Sequence, residues 1–126
     1  MTSLLVIAVA GAGALGALLR YAAGHVFGER GGLPWGIVIV NVVGSLLAGL
    51  AVGLLDDPGL RLVIATGFCG GFTTFSTVAV DTVRYASGRR ASDGRRIGAA
   101  IANVALTLVL GIGAAAAGFA LTGDLG

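Results

Sequence analysis

Asn41 and Ser45 stand four residues apart, and Asn103 and Thr107 repeat that spacing with Gly111 one turn on. On an α-helix each pair shares a face. Amide and hydroxyl donors in a row can offer N–H or O–H to an anion without trapping it as a full charge would. The same side chains also serve as hydrogen-bond glue between membrane helices, worth about 0.6–2 kcal/mol each. Chemistry alone leaves both readings open. A second unusual run is Gly67-Phe68-Cys69-Gly70-Gly71-Phe72-Thr73-Thr74-Phe75-Ser76-Thr77. Glycine weakens a helix through backbone entropy, and Ser and Thr compete for its backbone hydrogen bonds. The run predicts a helix break. At membrane depth, broken backbone is tolerated only where it is buried in protein or lines a cavity, and it exposes carbonyls to cations. The alternative is a continuous helix with its hydroxyls bonded back to carbonyls. Phe75 adds a ring whose edge is positive, although a lone Phe in such a helix is ordinarily packing.

Other chemistry is excluded by what is missing. There is no lysine, and no Asp or Glu falls mid-way along an apolar stretch. Asp81 and Arg84 are spaced to pair with each other. Arg20 ends the first apolar stretch, where a snorkelling role is the plain reading. His25 and Cys69 stand alone, without metal-ligand spacing, and their ordinary reading is structural. No nucleophile–base pair appears, so an enzyme is not expected, and neither is a nucleic-acid partner.

The elements that must position these residues follow from composition. Hydrophobic residues make up 56% of the chain and charged residues 11%, against about 25% charged in soluble domains. Glycine takes 23 of 126 positions. The charges leave four uncharged windows: Met1–Leu19, Gly31–Leu55, Leu62–Val80 and Ile97–Gly123. A helix crosses a hydrocarbon core of about 30 Å with about 20 apolar residues, and all four windows suffice. The expectation is an all-α membrane protein. It would be one domain over residues 1–126, with spans at roughly residues 2–21, 33–55, 62–84 and 97–121, and with the third helix broken mid-membrane. The first window lacks a basic leader and a small-residue cleavage site, so it reads as a span and not a signal. Pro34 and Trp35 suit a helix start at the interface. Asp57-Pro58-Gly59 reads as a tight turn joining the second and third spans into a hairpin.

Gly11-Ala12-Gly13-Ala14-Leu15-Gly16 matches G-x-G-x-x-G, but it lies inside an apolar helical window without the strand that a dinucleotide site needs. Small residues there allow close helix contact. Gly49 with Gly53, and Gly111, Gly113 and Gly118 beside the Ala114–Ala117 run, are read the same way.

At this point the motifs become specific. Gly36-Ile37-Val38-Ile39-Val40-Asn41-Val42-Val43-Gly44-Ser45 resembles the G-T-L-x-V-N-x-x-G-S segment of the Fluc/CrcB fluoride channels. The Gly67–Thr77 run resembles their G-F-x-G-G-[FL]-T-T-F-S-T, and Gly16 with Arg20-Tyr21 resembles their G-x-x-x-R-Y. The resemblance implies an antiparallel, dual-topology dimer of four-helix subunits with fluoride pores along the interface. It implies a structural, non-transported sodium ion held by the backbone carbonyls of Gly70 and Thr73. It also implies that Asn41, Ser45, Phe75, Asn103 and Thr107 line the anion pathway, that Asp81 lies at a pore end, and that Arg20 lies at the vestibule. Two positions depart from the pattern: Ile37 stands where Thr is usual, and Val78 where a second Phe is usual, three residues from Phe75 on one helix face.

Charge placement bears on the partner. All eight basic residues are arginines. With Arg20 set aside, alternating spans put Arg30, Arg84, Arg89, Arg90, Arg95 and Arg96 on one side and Arg61 on the other. Arginine excess marks the cytoplasmic side, so one fixed orientation is expected, with both termini outside. A basic loop would also meet anionic lipid headgroups. A self-pairing antiparallel dimer needs little bias, so an oppositely oriented sister subunit is the partner this asymmetry favours.

The function expected is passive fluoride export across a bacterial plasma membrane, relieving fluoride toxicity. A small proton-coupled exporter would need a deep acidic residue. A non-transporting packing subunit would use every polar stripe as glue.

Overall fold

A computed structural model describes residues 2–28, 34–87 and 93–123. Among these residues every regular element is helical. Helix α1 spans Ser3–Phe27 and starts on Thr2, whose Oγ1 accepts the Leu5 N–H at 3.3 Å. It runs past Arg20, where the charge pattern places the end of the span. One arginine does not stop a helix, and this one stays because its guanidinium reaches a backbone carbonyl of the third span. The helix ends at Gly28, whose φ of 57° is a conformation glycine adopts without a Cβ penalty.

Helix α2 spans Trp35–Leu54. The connection to the third span is shorter than a full turn over Asp57–Gly59. Asp57 is itself an N-cap, with Oδ1 accepting the Leu60 N–H at 2.6 Å, and Pro58 opens helix α3, Pro58–Arg61. Asp at the cap and Pro at the first helical position are each suited to a helix start. Arg61 then donates Nε and Nη2 to Leu55 O, at 3.0 and 2.5 Å, which closes the end of α2.

The third span is composite. After α3 the chain takes a π-helical course over Leu62–Cys69, returns to one α turn over Gly70–Phe72 (α4), and leaves the helix at Thr73, with φ −85° and ψ 162°. It becomes helical again as α5, Ser76–Ser87. The glycine pair is therefore helical, and the interruption falls just after it. Helix α6 spans Asp93–Gly123. Four helical stretches are long and apolar enough to cross a membrane: Ser3–Phe27, Trp35–Leu54, Pro58–Ser87 and Ile97–Gly123.

Helix α6 packs along α2 and α5, while α1 packs on the π-helix and α4. Glycine sets these distances. A Cβ on Gly71 would overlap the Gly13 carbonyl, and one on Gly16 would overlap that of Phe68, so α1 and the third span meet backbone to backbone. Between α2 and α6, a Cβ on Gly49 would strike the Ala115 carbonyl and one on Gly118 that of Leu46. Gly11 and Gly113 differ, since nothing lies within 4 Å of a Cβ at either; their faces point away from these seams. Large aliphatic side chains such as Leu4, Ile7, Val109 and Ile112 are exposed, whereas the buried apolar set is small-bodied: Val38, Val40, Ala51, Cys69, Val78 and Ala100.

Candidate functional site: a polar groove beside the interrupted third span

The interruption at Thr73–Thr74 is held from both sides. From α2, the buried Asn41 bonds Thr74 twice: Oδ1 accepts its N–H at 2.8 Å and Nδ2 donates to its carbonyl at 3.1 Å. From α1, Arg20 Nη1 donates to Thr73 O at 2.9 Å. In a continued helix the Thr74 N–H would meet Gly70 O; Asn41 takes that donor instead. Thr73 closes the preceding turn, with its N–H and Oγ1 both donating to Cys69 O at 2.9 Å. Thr74 caps α5: its Oγ1 accepts the Thr77 N–H at 3.2 Å and lies 3.1 and 3.2 Å from the hydroxyls of Thr77 and Ser76. The break is thus held by specific hydrogen bonds at Thr73 and Thr74.

Beside it lies a cavity of about 490 Å³, whose walls include Asn41, Ser45, Phe75, Val78, Thr82 and Thr107. Three of the four stripe residues meet here, from two helices. Asn41 has a second N–H beyond the one given to Thr74. The Thr107 hydroxyl is buried with no hydrogen-bond partner among the described residues, which is costly unless something uses it.

Asn103 sits behind this groove. It is fully buried, and Nδ2 donates to Val78 O at 3.3 Å and Thr82 Oγ1 at 3.0 Å, which commits both N–H groups; its Oδ1 has no partner among the described residues. Thr82 was not among the candidate residues. It lines the groove and donates to Val78 O at 2.7 Å. Its place four residues after Val78 and eight after Thr74 is the signal that would have found it.

Phe75 and Val78 both line the groove but differ in exposure. Phe75 is 80% exposed, while Val78 belongs to the first turn of α5 and is 5% exposed. Phe75 O accepts the Ala79 N–H at 2.9 Å, so the residue stands at the start of α5. Asp81 is buried, 3.6 Å from the Arg84 guanidinium, and is not part of the groove wall. Ile37 instead lines a second cavity, with Arg20, Tyr21, His25 and Thr77.

For a cation, two backbone oxygens come into question. The Gly70 carbonyl has lost its helical donor to Asn41, and Gly70 faces open space, with nothing within 4 Å of a Cβ there. The Thr73 carbonyl has one lone pair engaged by Arg20 and one remaining. Neutral oxygen donors of this kind suit a hard cation, but two from one chain are an incomplete shell. Among the described residues no group of three or more His, Cys, Asp or Glu could hold a metal. Arg30, Arg89 and Arg90 lie outside the described residues, as do the side chains of Arg95 and Arg96.

The family model for CrcB-like protein, Camphor Resistance (CrcB), matches residues 7–119, which takes in both the interruption and the groove. The chain belongs to the CrcB family. It is therefore a multi-pass membrane protein. It is similar to curated relatives over most of its length. Fluoride-specific ion channel FluC 2 of Natronomonas pharaonis is 43% identical over 123 residues, covering 93% of this chain and 99% of the relative. Fluoride-specific ion channel FluC 1 of Thermobifida fusca is 38% identical over 112 residues, covering 87% and 88%. Fluoride-specific ion channel FluC of Acidobacterium capsulatum is 42% identical over 111 residues, covering 82% and 84%.

Proposed function

We propose that this CrcB-family chain is a subunit of a fluoride-specific ion channel that exports fluoride passively and so lowers its toxicity. It is a transporter and not an enzyme. The observation that carries the reading is the groove beside the interruption. It gathers neutral donors from two helices, and one of them, the Thr107 hydroxyl, is buried and has no hydrogen-bond partner among the described residues. Such donors can replace part of an anion's hydration shell without binding it as tightly as a fixed charge. Ser45, the free N–H of Asn41 and the edge of Phe75 belong to the same path, with Arg20 at its vestibule and Asp81 at a pore end. Asn103 supports the path from behind by holding Thr82 and the Val78 carbonyl. Neither a proton-coupled exporter nor a pure packing subunit accounts for the names of the relatives.

The finer architecture proposed is an antiparallel dimer whose third helices are interrupted mid-membrane. The open side of Gly70 and the 80% exposure of Phe75 leave both facing away from their own chain, which favours a second chain against this surface. The Gly70 and Thr73 carbonyls of the two chains would together hold one structural sodium ion, tying the subunits across their interface. The arginine bias favours an oppositely oriented sister subunit over a second copy of this chain.

Fluoride efflux from proteoliposomes tests both levels. The complex purified from its native membrane should release fluoride, and Asn41→Ala should abolish that release. The chain reconstituted alone should release little. Robust efflux from the chain alone would overturn the two-subunit reading, and so would reporter fusions that find the C-terminus equally on both sides. No efflux from the native complex would overturn the channel itself.

A further inference from the structure

We infer that Arg20 is a positioning residue that strengthens a donor of the groove through two amide groups in series, the Thr73–Thr74 peptide and the Asn41 side chain. The inference rests on the fluoride-channel reading for the anion that this donor meets. Arg20 lines the cavity beside Tyr21 and Ile37 and does not border the groove that holds Asn41 and Thr107.

The series runs from α1 to α2. Arg20 Nη1 donates to Thr73 O at 2.9 Å. That oxygen and the Thr74 N–H belong to one peptide group, and in a trans peptide they point to opposite sides. The Thr74 N–H donates to Asn41 Oδ1 at 2.8 Å. Asn41 Nδ2 returns one N–H to Thr74 O at 3.1 Å, which leaves its second N–H for the groove that Asn41 lines. Asn41 and Thr74 are both buried, so water does not interrupt the middle of the series.

Both links act in one direction. A cation at an amide oxygen favours the resonance form with negative oxygen and double-bonded nitrogen, and that form is the stronger N–H donor. The Thr74 N–H then does to Asn41 what Arg20 does to Thr73. Hydrogen bonds in a row polarise one another in this way, more so where the local dielectric is low, and the first link is of the strong charge-assisted kind. The groove receives a strengthened N–H without receiving the charge itself, so an anion is attracted and not trapped.

The glycine seam brings the first link within reach. Gly16 lies one turn before Arg20 on the same face of α1, and a Cβ there would overlap Phe68 O and the Phe72 nitrogen. That close approach sets the guanidinium against the interruption. Asn103 is the contrast, because both its N–H groups end at Val78 O and Thr82 Oγ1, with no link to Arg20.

The chain has two asparagines, Asn41 and Asn103, so NMR of the asparagine-labelled native complex compares a linked side-chain amide with an unlinked one. Asn41→Gln assigns the pair by removing the Asn41 signals. With or without sodium fluoride, the Asn41 N–H protons should lie further downfield in wild type than in Arg20→Gln. The fluoride-induced shift of the second proton should shrink in Arg20→Gln by on the order of a quarter, and the Asn103 protons should not move. Arg20→Lys keeps a cationic donor and should fall between the two; it carries the test if Arg20→Gln does not assemble. Flux separates this route from attraction at the vestibule. In about 1 M inert salt the Debye length is about 3 Å, which screens a vestibule charge but not a bonded series. With sodium held constant, Arg20→Gln should still release fluoride roughly two- to threefold more slowly than wild type in that salt. Asn41 protons that stand alike in wild type and the variants overturn the inference, and so does a flux deficit that high salt removes. Asn41 protons that follow residue 20 in a complex that passes no fluoride support the series and overturn the channel reading instead.

Discussion

Helices α2 and α6 meet along one continuous stripe whose two ends do opposite things. On α2 the stripe reads Asn41, Ser45, Gly49, Gly53, each four residues from the last; on α6 it reads Asn103, Thr107, Gly111, Ala115, Gly118, Thr122. At the glycine end the backbones touch. Gly49 faces the Ala115 carbonyl, Gly118 faces that of Leu46, and Gly53 faces the Thr122 side chain. At the polar end the helices leave a groove of about 490 Å³ instead. The difference comes from side-chain size and from who satisfies the polar atoms. Small residues let two helices close without lipid between them. At the polar end Asn41 turns to Thr74 and Asn103 to α5, and residues of the third span complete the groove. One helix pair thus carries both the close seam and part of the groove wall.

The largest effect is expected where the seam is broken. Gly49→Val should lower stability in detergent by about 1–3 kcal/mol or prevent assembly altogether, because the added methyls meet backbone that cannot move aside. A thermal melt checks this. Next comes Asn41→Ala, which removes both bonds to Thr74 and leaves that buried N–H and carbonyl unsatisfied. It should cost about 2 kcal/mol and abolish fluoride efflux, so the same melt and a flux assay both read it. Thr107→Val separates the two ends more sharply. It removes a buried hydroxyl that has no partner among the described residues, so stability should hold or rise by up to about 1 kcal/mol, while efflux falls several-fold. Smallest is Gly113→Val. With open space at its Cβ position, it should change the melt by less than about 0.5 kcal/mol, which would show that position within the stripe, and not glycine content, sets the seam.

Much of this was legible because membrane helices write their length in the absence of charge. The four spans follow from the uncharged windows, and the i,i+4 polar pairs follow from spacing. The misreadings share a cause, which is that sequence does not say who answers a polar group. Arg20 looked like the end of a span, but the Thr73 carbonyl gives it a partner and α1 runs on to Phe27. The Gly67–Thr77 run predicted a break without saying where in it the helix stops, and its Gly70-Gly71 pair is not that place. Those glycines remain helical, with Gly71 set against α1, and the chain departs at Thr73, where Asn41 and Arg20 supply partners for the freed backbone. Asn103 looked equivalent to Asn41. Both of its N–H groups turn inward to Val78 and Thr82, a distinction that depends on the depth of α5 and not on any local pattern. Phe75 and Val78 line one groove, but Phe75 at the start of α5 is exposed and Val78 is buried, a difference in depth that three-residue spacing does not carry.

The central claim is that the polar end of the α2–α6 stripe conducts fluoride. The most direct measurement is fluoride-electrode recording of efflux from liposomes that hold the complex purified from its native membrane, with wild-type chain or with Thr107→Val. The account predicts rapid fluoride efflux from the wild-type complex and a several-fold loss in the variant, with both proteins melting alike. Equal efflux from the two, or no fluoride efflux from an intact wild-type complex, would contradict it.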